Sequence, residues 1–298
     1  MRDFPSWPVQ WRLMNDRRPL SRVAHRLGIA ATACAALATS MAQPGAQSRP
    51  PIAIVGARIV DGSGNEPFTG TIVISGGRIV AVGRQVEAPA DAQRIDGAGK
   101  AVLPGLIDTG AGGVDRSTDA GRRRLGRLLA NGVTTAAVEG DPGASAGDAL
   151  QPRLVTVPPA DASAATAPAG GRALRSGTIG IAVGDAAAAA VTAGKAARAR
   201  LALAGLAGDD GAIDVSRIGA AGLSPLDAVT AMTGGGAWAL GLQSDRGLLA
   251  PGMRADLVVV GGDPSVSLDA LTHIEHVFLG GADVDLSLIH ISEPTRPY

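Results

Sequence analysis

Two β-branched runs joined by a pair of glycines impose the strongest local constraint on this chain. Thr71–Ser75 and Arg78–Val82 flank Gly76 and Gly77. Glycine adopts positive φ without a steric penalty, and a two-residue turn of that kind matches the twist of the strands that it joins. The sequence therefore predicts a tight β-hairpin, within a β-rich segment that runs from residue 52 to residue 103.

More strands are predicted around this hairpin and near the other end of the chain, because short β-branched runs lie between turn residues. Within the first segment they are Ile52–Val60, Arg94–Asp96 and Ala101–Leu103. In a second β segment, residues 248–285, they are Leu257–Val260 and the run from His276 to Leu279.

The region between the β segments, residues 104–247, has an alternating pattern in its first part. Leu103–Ile107 predicts a strand, Ala120–Ala130 an amphipathic helix that ends at Asn131-Gly132, and Val133–Val138 a second strand. Residues 141–171 are rich in Pro, Ala, Ser, Gly and Asp, which is typical of a loop or a disordered bridge.

The second part of this region predicts one further strand and two helices. Gly180–Val183 is strand-like, and the alanine-rich run Asp185–Leu206 has high helix propensity. Ser224-Pro225 predicts a helix start, with Ser as the N-cap and Pro at the first helical position. The run Gly234–Gly236 is predicted to break that helix.

Residues 1–42 have the pattern of a signal peptide. Basic residues precede the uncharged, mostly apolar run Leu27–Ser40, and small residues follow at the cleavage position. We expect an exported, periplasmic protein, with residues 43–51 as a linker. The alternative is a disordered leader rich in Arg and Ala.

Composition excludes some classes of partner and framework. The formal net charge is zero with no long run of one sign, so no nucleic-acid partner is expected. A single cysteine, Cys34, excludes an internal disulfide framework.

The stretch Pro104-Gly-Leu-Ile-Asp108 resembles the motif that opens the barrel of the amidohydrolase superfamily. The resemblance covers residues 52–140 and 222–284. The superfamily members that the chain resembles are imidazolonepropionase-like and other metal-dependent hydrolases. It implies an α/β fold: a (β/α) TIM-type barrel with a discontinuous β-sandwich built from the N- and C-terminal segments.

The barrel is expected to be incomplete. A full (β/α)₈ barrel takes about 250 residues. Residues 104–247, which are assigned to the barrel here, are too few for one. Residues 286–298 are predicted to be a sequencing artefact, because Leu286–Arg296 matches the translation of a transposon-end sequencing adapter.

The same resemblance implies a metal site whose ligands are missing. The family activates water on a divalent metal, typically zinc, and its first two ligands form a His-x-His pair. Here Gly110 and Gly112 occupy those positions, and none of the four His residues falls in the barrel region. We therefore expect no metal ligand and no bound cofactor, and no catalytic residue is predicted apart from the candidate Asp185.

The remaining candidates for a site are single residues. Asp185 is the one catalytic candidate, at the position of a last-strand Asp, and Lys195, Asp115 and Glu139 are more typical of solvated faces. Asp108 matches a family position at which the Asp caps the strand end, and the resemblance implies that role here. His273 and His276 would point to opposite faces of a strand. For Asp256 we expect a structural hydrogen-bonding role.

Three hypotheses on function remain open. By resemblance the chain is a hydrolase of non-peptide carbon–nitrogen bonds that has lost catalysis, and a small-molecule substrate is expected only if it is active. It could instead be a structural partner of an active amidohydrolase paralogue or a homo-oligomer. The third hypothesis is a fragmentary or misassembled gene product.

Overall fold

The structure is a computed structural model that describes residues 49–112, 114–139, 151–157, 171–173, 178–183, 187–196, 200–208 and 211–287. These residues belong to one compact unit, residues 47–298. The strands are β1 (Ile52–Ile59), β2 (Phe68–Ser75), β3 (Arg78–Gly83), β4 (Gln93–Asp96), β5 (Lys100–Pro104), β6 (Leu106–Asp108), β7 (Val133–Glu139), β8 (Arg153–Val157), β9 (Gly171–Ala173), β10 (Thr178–Ala182), β11 (Arg200–Ala204), β12 (Leu257–Gly261), β13 (Ile274–Leu279) and β14 (Ala282–Asp283). The helices are α1 (Asp119–Ala130), α2 (Ala187–Ala196), α3 (Val215–Ala220), α4 (Pro225–Thr230), a π-helical turn (Ala231–Gly235), α5 (Gly236–Ala239) and a 3₁₀ helix (Leu268–Thr272).

Both ends of the described chain contribute to one eight-stranded sheet. Its order is β14-β13-β12-β5-β1-β2-β3, and β4 also pairs with β1. β1 is antiparallel to β2 and parallel to β5, whereas β5 is antiparallel to β12. The predicted β segments at the two ends thus form strands of the same sheet. Buried side chains such as Ile54, Ile72 and Phe278 build its core.

The hairpin predicted from Gly76-Gly77 is confirmed. β2 and β3 pair in antiparallel register from Ser75 and Arg78 outward. Gly76 has φ of 57° and Gly77 has φ of 78°. Both values lie in the left-handed region that only glycine enters without strain.

The chain leaves the eight-stranded sheet at Gly105, which corrects the strand predicted from Leu103 to Ile107. β5 ends at Pro104 and β6 begins at Leu106, in a different sheet. A Cβ on Gly105 would lie 2.1 Å from Oγ1 of Thr134. The crossing therefore needs glycine, because any side chain would collide with β7.

β6, α1, β7 and β8 form a first parallel unit. β6 pairs with β7 and β7 with β8, all in parallel. The side chain of Thr118 caps α1 by accepting a hydrogen bond from the backbone N–H of Gly121, and Gly132 ends the helix with φ of 81°. β8 corrects the prediction of a loop throughout residues 141–171, most of which lie outside the described residues.

A second three-stranded sheet has the order β11-β10-β9. β10 confirms the strand predicted at Gly180–Val183. β11 corrects the long alanine-rich helix, of which only α2 forms within the described residues. β11 is parallel to β10, and its Leu203 carbonyl accepts a hydrogen bond from the backbone N–H of Thr109 at 3.2 Å. These pairings override the helix propensity of the segment.

The helix that begins at Pro225 continues through the glycine run, so the predicted break is wrong. Ser224 caps it by accepting a hydrogen bond from the backbone N–H of Asp227. A Cβ on Gly235 would lie 2.1 Å from the Leu201 carbonyl oxygen, and one on Gly236 would lie 2.9 Å from Cβ of Ile107. The glycines thus let the π-helical turn and α5 approach β11 and β6 closely.

The result is a mixed α/β fold with a second core between the parallel strands and the helices. That core includes Leu106, Leu128, Ile181, Leu203 and Met232. Over the described ranges, the strands of the two smaller sheets do not close into a barrel. None of the helices described there combines the length and apolar character needed to cross a membrane.

Candidate functional site

The strand end that precedes the two glycines is organised by the carboxylate of Asp108. The residue follows Ile107 at the end of β6 and is 1% exposed. Its Oδ1 accepts hydrogen bonds from the backbone N–H of Gly110 at 2.9 Å and of Gly205 at 2.8 Å. Its Oδ2 accepts one from the backbone N–H of Leu206 at 3.1 Å. Asp108 therefore joins the end of β6 to the loop that follows β11.

Burial raises the pKa of Asp108 above its ordinary value of 3.8. The three backbone N–H groups and the positive charge of Arg124 act in the opposite direction, but desolvation outweighs them. Arg124 itself donates a hydrogen bond from Nη1 to the carbonyl of Ala111 at 2.8 Å. The carboxylate thus accepts hydrogen bonds from three backbone N–H groups.

Gly110 packs directly against β11. Thr109 donates two hydrogen bonds to the Leu203 carbonyl, from its backbone N–H at 3.2 Å and from Oγ1 at 2.8 Å. These bonds hold the next residue so close that a Cβ on Gly110 would lie 2.9 Å from Cβ of Ala204. Such a separation is shorter than ordinary van der Waals contact.

Gly112 has open space around it but a left-handed backbone. Its φ is 76°, and nothing lies within 4 Å of a Cβ built there. The left-handed conformation costs a residue with a side chain about 1–2 kcal/mol. The two glycines therefore oppose a side chain for different reasons, the first through contact and the second through backbone conformation.

Three of the other predicted candidates that lie in the described ranges are exposed on the surface. Asp115 is exposed and accepts hydrogen bonds from the backbone N–H and Oγ of Ser117, which lower its pKa. Glu139 is exposed at the end of β7, and Lys195 lies 3.9 Å from a carboxylate oxygen of Asp227. Asp185 lies outside the described residues.

The two histidines of the C-terminal β segment are engaged locally. His273 follows the 3₁₀ helix, and its Nδ1 lies 3.2 Å from the carbonyl oxygen of Asp269. His276 lies on β13, with Nδ1 2.9 Å from Oδ2 of Asp283.

Asp256 has the structural role expected for it. Its side chain is 1% exposed, accepts a hydrogen bond from the backbone N–H of Gly280 at 2.6 Å, and accepts another from Nε of Arg153 at 3.1 Å. Arg246 lies 3.8 Å from the same carboxylate and donates to Oγ1 of Thr135 at 3.2 Å. No sequence signal links Arg153 to Asp256, because the two residues are 103 positions apart.

A family model and a sequence relative both support the resemblance to amidohydrolases. Residues 188–282 match the model of the amidohydrolase family. Dihydroorotase from Geotalea daltonii is 47% identical over 57 residues, which cover 19% of this chain and 13% of that enzyme. The resemblance to the amidohydrolase superfamily is confirmed. The chain matches only a small part of the length of this dihydroorotase.

Solved amidohydrolase structures share the fold. One amidohydrolase has a TM-score of 0.58 at 17% identity, with 78% of this chain and 98% of the other covered. The amidohydrolase from Thermotoga maritima has a TM-score of 0.53 at 16% identity, with 78% and 99% covered. Molinate hydrolase has a TM-score of 0.53 at 16% identity, with 84% and 97% covered.

Amidohydrolases generally use a divalent metal, and the described residues do not fit one. Gly110 and Gly112 have no donor atom, and the oxygens of Asp108 already accept three backbone hydrogen bonds. Across the described ranges, no three His, Cys, Asp or Glu side chains lie together as an ion would require. A metal-bound hydroxide has no residues to hold it in this part of the chain.

Proposed function

We propose that this chain is an amidohydrolase homologue that does not catalyse metal-dependent hydrolysis. By descent it is related to hydrolases of non-peptide carbon–nitrogen bonds. The observation that carries the proposal is the strand end after β6, where Gly110 lies against Ala204 and Gly112 has a left-handed backbone. Both positions of the family's first ligand pair therefore lack a donor.

The chemistry of the reaction makes this loss decisive. A divalent metal generates hydroxide near neutral pH and polarises the carbonyl that is attacked. Zinc needs imidazole, thiolate or carboxylate donors at about 2 Å. Asp108 cannot replace the missing pair, because its two oxygens are turned toward Gly110, Gly205 and Leu206 and are buried.

The architecture that we propose for this homologue is an incomplete (β/α) barrel beside a discontinuous β-sandwich. The parallel pairing of β6 with β7 and β8, and of β11 with β10, supports the barrel part. The eight-stranded sheet drawn from both ends of the chain supports the sandwich. An incomplete barrel also leaves fewer strand ends from which later ligands could come.

Metal content and hydrolysis, measured on the same preparation, test the proposed function. The purified chain is stripped with a chelator, incubated with zinc, desalted and analysed by inductively coupled plasma mass spectrometry. Dihydroorotate and molinate serve as substrates, since the similar proteins include a dihydroorotase and molinate hydrolase. An Xaa-Pro dipeptide is the third substrate, because an Xaa-Pro dipeptidase of known structure is similar to this chain with a TM-score of 0.54. Dihydroorotase from Geotalea daltonii is the positive control.

We expect no stoichiometric zinc and no hydrolysis above the uncatalysed rate. One zinc per chain, together with hydrolysis that a chelator abolishes and zinc restores, would refute the proposal. Zinc binding without hydrolysis would refute the ligand argument alone, and it would direct attention to donors outside the described residues.

A further inference from the structure

We infer that the first ligand position is closed by the packing of this chain itself, so that replacing Gly110 by His would not restore a metal ligand. The inference rests on the proposed function and explains why the loss is not a matter of one side chain. Its physical content is the contact between Gly110 and Ala204, in which an added Cβ would be 2.9 Å from the alanine methyl.

A set of hydrogen bonds between the two strand ends fixes that contact. Thr109 bonds twice to the Leu203 carbonyl on one side of the contact. Asp108 accepts from the backbone N–H groups of Gly205 and Leu206 on the other side. All four bonds join the end of β6 to β11 and its following loop, and the residues that make them are mostly buried. Moving Ala204 away would therefore break several bonds at once.

A comparison of Gly110 with Gly112 shows that close packing opposes a side chain only at Gly110. The space around Gly112 is open, so its left-handed φ of 76° opposes a side chain only through backbone strain. At Gly110 φ is not in the left-handed region, and the contact alone is the obstacle. A substitution at Gly110 should consequently be rescued by removing the methyl group of Ala204, whereas one at Gly112 should not.

A double-mutant cycle measures this closure independently of any activity. Gly110→Ala, Ala204→Gly and the pair together are compared by thermal unfolding, followed by circular dichroism. Gly219→Ala is the matched control, because a Cβ there would meet nothing within 4 Å and φ is ordinary. We expect Gly110→Ala to lower Tm by about 3 °C or more, Ala204→Gly to restore part of that loss, and Gly219→Ala not to lower it.

The outcomes separate the closure from the proposed function. If Gly110→Ala leaves Tm unchanged, or if Ala204→Gly gives no rescue, the closure is wrong whatever the wild-type protein does with zinc. A wild-type chain that binds zinc and hydrolyses a substrate in a zinc-dependent way would refute the proposed function and leave the result of the cycle standing.

Metal binding by a variant provides the second arm. Gly110→His with Gly112→His is incubated with zinc and its metal content is measured as for the wild type. One zinc per chain with an unchanged Tm overturns the closure, and a Tm below that of Gly112→His alone supports it. If the variant does not fold, the alanine cycle decides the matter alone.

Discussion

Replacement of Asp108 by Asn tests whether a buried charge or its hydrogen bonds dominate at the end of β6. An amide can keep the two bonds made by Oδ1, from Gly110 and Gly205, but its NH₂ group would face the N–H of Leu206. One buried N–H left without an acceptor costs about 1–3 kcal/mol. The amide also removes the cost of burying a charge. This desolvation cost is what raises the pKa of Asp108.

Because the raised pKa means that the neutral form suits the fold better, the neutral amide should be tolerated. We expect Asp108→Asn to change the free energy of unfolding at pH 7 by less than about 1 kcal/mol. Asp108→Ala is the contrast. It leaves three backbone N–H groups without their acceptor, so it should lower that free energy by about 3 kcal/mol or more.

The pH dependence has a definite sign. In the folded chain Asp108 holds its proton at pH values where the unfolded chain has lost it, so its stabilising contribution is present below the ordinary pKa of 3.8. That contribution is lost as the pH rises above 3.8 toward the raised value. The wild type should therefore lose stability relative to Asp108→Asn as the pH increases over that window.

Urea unfolding of the wild type and both variants, followed by tryptophan fluorescence and circular dichroism from pH 4 to pH 7, measures these differences. A loss of about 2 kcal/mol or more for Asp108→Asn at pH 7 would refute the reasoning. It would mean that the N–H groups outweigh desolvation and that the pKa of Asp108 is lowered.

Three further predictions use the same unfolding assay. Gly105→Ala should lower the free energy of unfolding by about 1–3 kcal/mol, because its methyl group would collide with Thr134; an unchanged midpoint would exclude the collision. Asp256→Ala should cost about 3 kcal/mol by leaving Arg153 and a backbone N–H without their buried acceptor; a loss below about 1 kcal/mol would contradict that role. Burial opposes ionisation of Asp245, yet Arg246 and Arg254 lower its pKa to about 2. The stabilising contribution of Asp245 is therefore lost as the pH falls from 3.8 to about 2. Asp245→Asn should remove that acid sensitivity, and equal acid midpoints for the two proteins would count against it.

Local sequence signals predicted the elements whose cause is local. The hairpin at Gly76-Gly77 depends on two positive φ values, and the end of α1 depends on Gly132. Ser224 and Pro225 mark the start of α4 by capping and by a fixed φ, both properties of the residues themselves. In each case the interaction spans a few positions, so the sequence contains all of it.

Elements decided by distant partners could not be predicted in this way. Arg200–Ala204 has a composition typical of a helix, and it becomes β11 because β10 and Thr109 supply its hydrogen bonds. Gly234–Gly236 is typical of a helix break, yet the helix continues, and the missing side chains of Gly235 and Gly236 let it pack closely against β11 and β6. The information about these outcomes is in the partner segments, and a single sequence does not state which segments meet.

The candidate site combines both kinds of information. The sequence shows that Gly110 and Gly112 have no donor atoms, which is a local fact about residue type. It does not show that Ala204 fills the space beside Gly110, or that Asp108 and Thr109 hold it there, because these contacts join positions almost a hundred residues apart. The distinction matters for how the chain could regain a ligand. A lost side chain can return by one substitution, whereas a closed position requires β11 and β6 to separate first, against four hydrogen bonds.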